Sequence, residues 1–353
     1  SVIALTQYST NTHASELYWP GTEYNSNIPQ HQDVLGYSAG EKITNHTDML
    51  TYFDALVSAS PEHIQKFSYG ETWEGRELIY LVIGSKQNLN KLTEFERNIQ
   101  KLADPRITNQ SQANLLIQSL PSSVWLGYGV HGNEISSTDA AMMTAYHLLA
   151  SIDSPMTQHM LNNTLVFIDP LQNPDGRTRF TSRYYATLGM EPSSDRYSAD
   201  HNEPWPNGRS NHYLFDMNRD WLAMSQPETK GRIHTMNRYL PLVVIDLHEM
   251  SGDSSYYFAP AAEPLNPLMT TDQIENMTLI GKNHAKHFDA MGYDYFTREV
   301  FDAFYPGYGD SWPTFYGASA STYEVGSARA EVFKKSNGDI YTYADSVQKH
   351  FIA

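Results

Sequence analysis

The strongest constraint on this chain is an alternation that begins near residue 47 and continues to its end. Short apolar, β-branched runs take turns with segments whose apolar residues recur at helical spacing. The stretch "TDMLTYFDALVSAS" has helical spacing and stops before Pro61, and "ELIYLVIGS" is a strand-like run closed by Gly84 and Ser85. The pattern then predicts strand "SVWLGYGV", helix "STDAAMMTAYHLLASI", strand "NTLVFIDP", helix "QPETKGRIHTMNRYL" and strand "PLVVIDLHEM". Helix "NMTLIGKNHAKHFDAMG", strand "SASTYEVG" and a helix over "DIYTYADSVQKHFI" complete it. Runs that are apolar on both faces and alternate with helices specify an α/β fold. The expected form is one domain with a mixed, mostly parallel central sheet covered by helices on both faces. Residues 1–40 are rich in Ser, Asn, Gly and Pro without a sustained period, so they are expected to form an irregular N-terminal arm; residues 41–353 form the domain. A chain of 353 residues, 40% hydrophobic, can bury the core that such a fold needs.

Composition narrows the function. With 24 Lys and Arg against 40 Asp and Glu, the net charge of −16 opposes attraction to nucleic acid and to anionic membranes. The expected partner is therefore small or peptidic, and the expected state is a monomer. The absence of cysteine excludes disulfides, thiolate metal sites and cysteine nucleophiles, so any metal must be held by His, Asp or Glu. No run approaches the roughly 20 apolar residues of a membrane span, so no membrane insertion is expected. "SVIALTQYST" has too short an apolar part for a signal peptide and reads as a trimmed start. Acidic charge with abundant Tyr and Asn fits a secreted or periplasmic setting. The sequons at Asn45, Asn109, Asn162 and Asn276 would matter only in a eukaryotic secretory route.

Chemistry concentrates where predicted strands end. In an open α/β sheet, ligands bind beyond the carboxyl ends of the strands. "HGNEISS" places His131 and Glu134 at one such end, and "VVIDLHEM" places His248 at another. Each piece alone is a common surface pattern. Together, two His and one Glu make the three-ligand shell of a catalytic zinc ion that keeps a fourth position for water. Three further stretches resist a purely structural explanation: "IDPLQNPDG", with Asn173, Pro174, Asp175 and Gly176; "FDMNRDW", with Asp216, Asn218 and Arg219; and "STYEVG", which sets Glu324 in an apolar strand. If Glu324 points inward, its carboxylate is costly to bury unless it is paired or poised for proton transfer; the alternative is an outward-facing strand residue.

The order HxxE, NPDG, D-x-N-R, a strand ending in D-L-H, and a late-strand Glu resembles the zinc carboxypeptidases of the carboxypeptidase A type. The resemblance runs from His131 to Glu324 and leaves the first 40 residues outside. It implies one zinc ion held by His131, Glu134 and His248, with Glu324 as general base. It implies that the enzyme hydrolyses the C-terminal bond of peptides with a free C-terminus through a zinc-bound water. Asp216 would orient His131, while Asn218 and Arg219 would grip the terminal carboxylate. The family's carbonyl-polarising arginine follows NPDG; Arg177, Arg179 and Arg183 all qualify, and Arg179 is preferred. A mobile-loop tyrosine is expected from Tyr305, Tyr308 and Tyr316, with the Gly-rich context favouring Tyr305 or Tyr308, and Tyr308 is taken as the substrate-binding residue. Asp310 in the same loop could select basic side chains but is preferred as a structural acceptor.

"DLHEMSGDSSYYFAPAAEP" departs from the digestive enzymes and resembles larger bacterial members, some of which carry further domains. Two rivals within related chemistry remain: an N-acyl amino acid deacylase of the aspartoacylase or succinylglutamate desuccinylase kind, whose site also opens with "HGNE", and a peptidoglycan-peptide hydrolase. Intact "NPDG" and "DMNRDW" favour the peptidase. A non-catalytic binding protein would be expected to have lost a ligand or the base, and none is lost.

Overall fold

In the computed structural model, residues 18–353 are described; the expectation about "SVIALTQYST" and the first part of the arm lies outside them. In chain order the elements are α1 (His31–Leu35), α2 (His46–Ala59), β1 (Ile64–Glu71), β2 (Glu77–Ile83), α3 (Lys86–Asn90), α4 (Leu92–Ala103), α5 (Gln110–Ser119) and β3 (Ser122–Tyr128). Then come α6 (Ser136–Ala150), α7 (Pro155–Asn163), β4 (Thr164–Asp169), α8 (Pro174–Thr187), α9 (Pro227–Tyr239), β5 (Val243–Met250), β6 (Tyr256–Tyr257), β7 (Ala262–Leu265) and α10 (Thr271–Met291). The chain finishes with β8 (Asp302–Ala303), β9 (Ser319–Gly326), β10 (Val332–Lys334), β11 (Ile340–Thr342) and α11 (Tyr343–Ile352).

Among the described residues one seven-stranded sheet has the order β1-β2-β4-β3-β5-β9-β6. Its four middle strands, β4-β3-β5-β9, are parallel to one another, while β1, β2 and β6 pair antiparallel at the edges. The sheet is thus the expected mixed one, with parallel pairing confined to its centre. Side chains alternate across it: Ile79, Leu81 and Ile83 of β2 enter one core with α2, α6 and α11, whereas Tyr80 and Val82 enter the other with α4 and α9. Helix α6 is buried nearly all round, as a helix apolar on every side must be.

Several elements were not foreseen. β1 carries alternating exposed polar residues at an antiparallel edge, so its apolar signal is weak. The stretch 86–119 holds three helices, of which α5 has no buried residue to set a period. The arm is less irregular than expected: α1 lies within it, and Tyr18, Trp19 and Tyr24 pack against the core. Two of the sequon asparagines, Asn45 and Asn109, act as helix N-caps, which gives those positions a structural reason.

The C-terminal helix locks onto the centre. The Tyr343 hydroxyl donates to Asp139 Oδ2 (2.5 Å), the same oxygen that accepts from Arg177 Nη2 (3.0 Å). His350 Nε2 lies 3.0 Å from the carbonyl of His248. Because Leu81 is fully buried and Leu279 is 68% exposed, Leu81→Ala should cost about 2–5 kcal/mol in urea unfolding while Leu279→Ala stays within about 0.5 kcal/mol.

Candidate metal centre and active-site cleft

β3 delivers the chain to a tight loop in which the Glu134 amide donates to the His131 carbonyl (3.1 Å), just before α6 begins. β5 brings His248 alongside. The donor atoms of His131, Glu134 and His248 all lie within 4.8 Å of one another, and all three side chains are buried. Parallel pairing of β5 with β9 sets Glu324 opposite His248, so the base candidate reaches the same point by strand register alone.

Each imidazole is oriented by a carboxylate. His131 Nε2 lies 3.0 Å from Asp216 Oδ1, and His248 Nε2 lies 2.8 Å from Asp246 Oδ2. An ionised carboxylate only accepts, so each ring donates from Nε2 and turns Nδ1 the other way. Both Nδ1 atoms face Glu134: that of His131 is 2.7 Å from Oε1 and that of His248 is 3.0 Å from Oε2. Asp246 was not foreseen, yet "D-L-H" on a strand carries the signal, since residues two apart point to the same face.

The electrostatics fit a cation at this point. Burial pushes Glu134 up, but the two imidazoles outweigh it and hold the carboxyl well below the usual range. Burial pushes His248 down, but Asp246 and Glu134 outweigh it and hold the ring well above its ordinary value. Two imidazole nitrogens and one carboxylate oxygen gathered this closely are the donor set that suits a divalent zinc-like ion. Glu324, 8% exposed, is raised to about 8 by burial, with Glu134 and Asp246 adding to the shift and His248 and Arg209 opposing it.

The cleft is lined by these residues together with Arg209, Asn218, Arg219, Tyr308, Asp310 and Thr322. Asp216 Oδ1 caps the short turn carrying Asn218 by accepting its amide (3.0 Å). Asn218 Oδ1 accepts from the Gly309 amide (2.8 Å), which fastens the short turn to the tyrosine loop, and its Nδ2 lies 3.3 Å from His248 Nε2. The Arg219 guanidinium sits 4.6 Å over the ring of Tyr308. Tyr305 packs edge-on against Tyr308, and Tyr316 stacks on Trp312 away from the cleft lining. Asp310 accepts from Ser311 Oγ (3.2 Å), and burial together with Asp246 raises it to about 7.

The three arginines considered for polarising the carbonyl lie away from the cleft lining. Arg177 is buried and spends its guanidinium on Thr44 and Ile135 carbonyls and on Asp139. Arg179 donates to the carbonyls of Asn207, Ser210 and Asn211. Neither they nor Arg183 line the cleft. Arg209 does: its Nε donates to Asp216 Oδ2 (3.1 Å), and its Nη1 lies 3.3 Å from Glu134 Oε1. It was missed because it follows α8 by a long irregular stretch with no motif of its own.

Glycines allow these segments to meet. A Cβ on Gly132 would lie 2.0 Å from the Arg177 amide nitrogen, and one on Gly176 would lie 2.3 Å from the Gly208 carbonyl oxygen. "NPDG" is accordingly a bracket as well as a motif. Asn173 caps α8 through the Gly176 amide (2.9 Å), and its Nδ2 donates to the carbonyls of Val130 and Arg209, both at 3.2 Å.

A model of the zinc carboxypeptidase family matches residues 49–349. Human carboxypeptidase Z is 25% identical over 194 residues, which is 53% of this chain and 23% of that protein. Mouse carboxypeptidase Z is 24% identical over 179 residues, 50% of this chain and 21% of that one. The chain therefore matches about a quarter of the length of these curated relatives. Among solved structures, carboxypeptidase A from Helicoverpa armigera superposes with a TM-score of 0.58 at 16% identity, covering 92% of this chain and 73% of that one. A metallo-carboxypeptidase from Burkholderia cenocepacia gives 0.54 at 15% identity, covering 85% and 66%. At these identities the superpositions speak for the fold.

Since Asp246 holds the His248 ring, Asp246→Ala should lower zinc affinity about 10–100-fold in chelator competition while Tm of the metal-free protein changes little; unchanged affinity would detach Asp246 from the site.

Proposed function

Because this chain belongs to the zinc carboxypeptidase family, we propose that it is a metallocarboxypeptidase that removes C-terminal residues from peptides, using one zinc ion held by His131, Glu134 and His248. The observation that carries this reading is the meeting of three clustered metal donors, a buried glutamate and two arginines in one cleft. When bound, zinc supplies Lewis acidity toward a carbonyl oxygen and toward water.

The chain's own residues supply the rest. Asp216 and Asp246 fix the two imidazoles so that Nδ1 of each is presented. Glu324 takes a proton from the attacking water and returns it to the leaving amine, a task open to a buried carboxyl set opposite His248 by strand register. Arg209 faces the donor cluster and stabilises negative charge on the scissile carbonyl oxygen as it develops. Arg219, half exposed at the cleft and backed by the Tyr308 ring, pairs with the terminal carboxylate, for which a planar and permanently charged guanidinium is suited. The side-chain Nδ2 of Asn218, a cleft-lining residue, donates to the same carboxylate, and Tyr308 covers the bound residue.

No helix among the described residues is long and apolar enough to cross a membrane. A secreted or periplasmic setting with peptides as partners is kept as part of this proposal, on the acidic and cysteine-free composition.

Mass spectrometry of mixed free-acid, amidated and N-acylated peptides incubated with zinc-loaded protein tests the reading. Loss of single C-terminal residues from free acids alone is expected, whereas release of acyl groups would assign a deacylase instead. Glu324→Gln should keep its zinc and lose turnover about 10²–10⁴-fold; a near-normal rate would remove Glu324 from the proton transfer.

A further inference from the structure

Residues 203–211 form an irregular stretch, yet they are tied down at almost every backbone position around Arg209. The half-buried Arg179 side chain donates from Nη1 to the carbonyls of Asn207 (2.8 Å) and Ser210 (3.2 Å), and from Nη2 to that of Asn211 (3.1 Å). Three carbonyls turned toward one guanidinium mean that the chain curls around Arg179, and Arg209 is one of the residues of that curl. Glu203 makes a second tie. Its Oε1 accepts from the Gly208 amide, and its Oε2 accepts from Asn133 Nδ2 (2.8 Å). Asn133 sits between His131 and Glu134 in the chain, so this tie fastens the Arg209 stretch to the metal loop itself. Asn173 makes a third by donating to the Arg209 carbonyl (3.2 Å), and Gly208 packs its backbone on Gly176.

A long side chain that is 39% exposed, like that of Arg209, loses much conformational freedom if it must hold one pose in a cleft. Fixing its backbone beforehand reduces what remains to be ordered and aims the guanidinium before charge develops.

We propose that Arg179 and Glu203 are positioning residues for Arg209, which act on turnover only through the pose they give it. This rests on the proposed function, in which Arg209 stabilises the carbonyl oxygen. Neither residue lines the cleft. The roles predict non-additivity, because ties that serve Arg209 have nothing to serve once its side chain is gone.

The test is a double-mutant cycle on the zinc-loaded full chain: Arg179→Met, Arg209→Ala and the pair. Three quantities are read in each: kcat and KM on a free-acid peptide, affinity for a phosphonate peptide that mimics the tetrahedral oxyanion, and zinc affinity. Arg179→Met should lower kcat and phosphonate affinity at least tenfold, with KM and zinc affinity within about threefold of the unaltered protein. The pair should be no worse than Arg209→Ala alone. A loss from Arg179→Met that is as large without Arg209 as with it overturns the proposal, since the tie would then serve general structure. Should Arg179→Met not fold, the same cycle with Glu203→Gln decides by the same criterion. An unaltered protein that binds zinc but cleaves no peptide would overturn the function itself, and a fully active Arg209→Ala would remove the arginine's role; additivity alone removes only the positioning.

Discussion

Three backbones touch at the heart of this protein, and the touching is possible only without side chains. The loop after β3 meets the first turn of α8 at Gly132, and that turn meets the Arg209 stretch at Gly176 and Gly208. A methyl group at Gly132 or Gly176 would stand well inside van der Waals contact. The metal donors hang from the first segment, the bracket asparagine from the second and the cleft arginine from the third. The site therefore depends on a steric constraint before it depends on any charge.

Charge then determines what the arrangement can hold. Glu134, Asp246, Asp310 and Glu324 are all buried in this region, and that burial, with neighbouring carboxylates adding to it, raises proton affinity at Asp310 and Glu324. Buried carboxylates persist only when cations or protons compensate them. Arg209 and Arg219 supply part of that compensation from the solvent side, and a divalent ion among the imidazoles would supply the rest. The overall charge of −16 is in this sense not only a surface property.

The sequence disclosed the parts of this arrangement that regular structure positions. His131, Glu134, His248 and Glu324 lie at or near strand ends, and strand register carries them together, so a reading of apolar runs could anticipate where they meet. Asp246 was within reach of the same logic, because alternation along β5 puts it on the face of His248. Arg209 was not. Its place is set by hydrogen bonds from Arg179, Glu203 and Asn173, which come from distant segments and leave no periodic trace. Arg179, preferred from the sequence, belongs to the same region, but its guanidinium is consumed by backbone carbonyls. β1 and α5 were missed for the opposite reason: they lie at the periphery, where apolar periodicity is weakest.

The lock between α11 and the centre has a bearing on timing. Tyr343 grips Asp139, whose helix starts directly after Glu134, and His350 reaches the carbonyl of the ligand His248. Chains emerge from the ribosome N-terminus first, and contacts between distant segments wait for the later one to appear. The donors at 131, 134 and 248 are synthesised long before the helix that buttresses them. A nascent chain thus carries every ligand before it can make the contacts of Tyr343 and His350 with the frame around them, which form only after residues 343–352 have been made. For a protein proposed to cut polypeptides, that ordering makes the C-terminal lock the last part of the site's frame to be put in place.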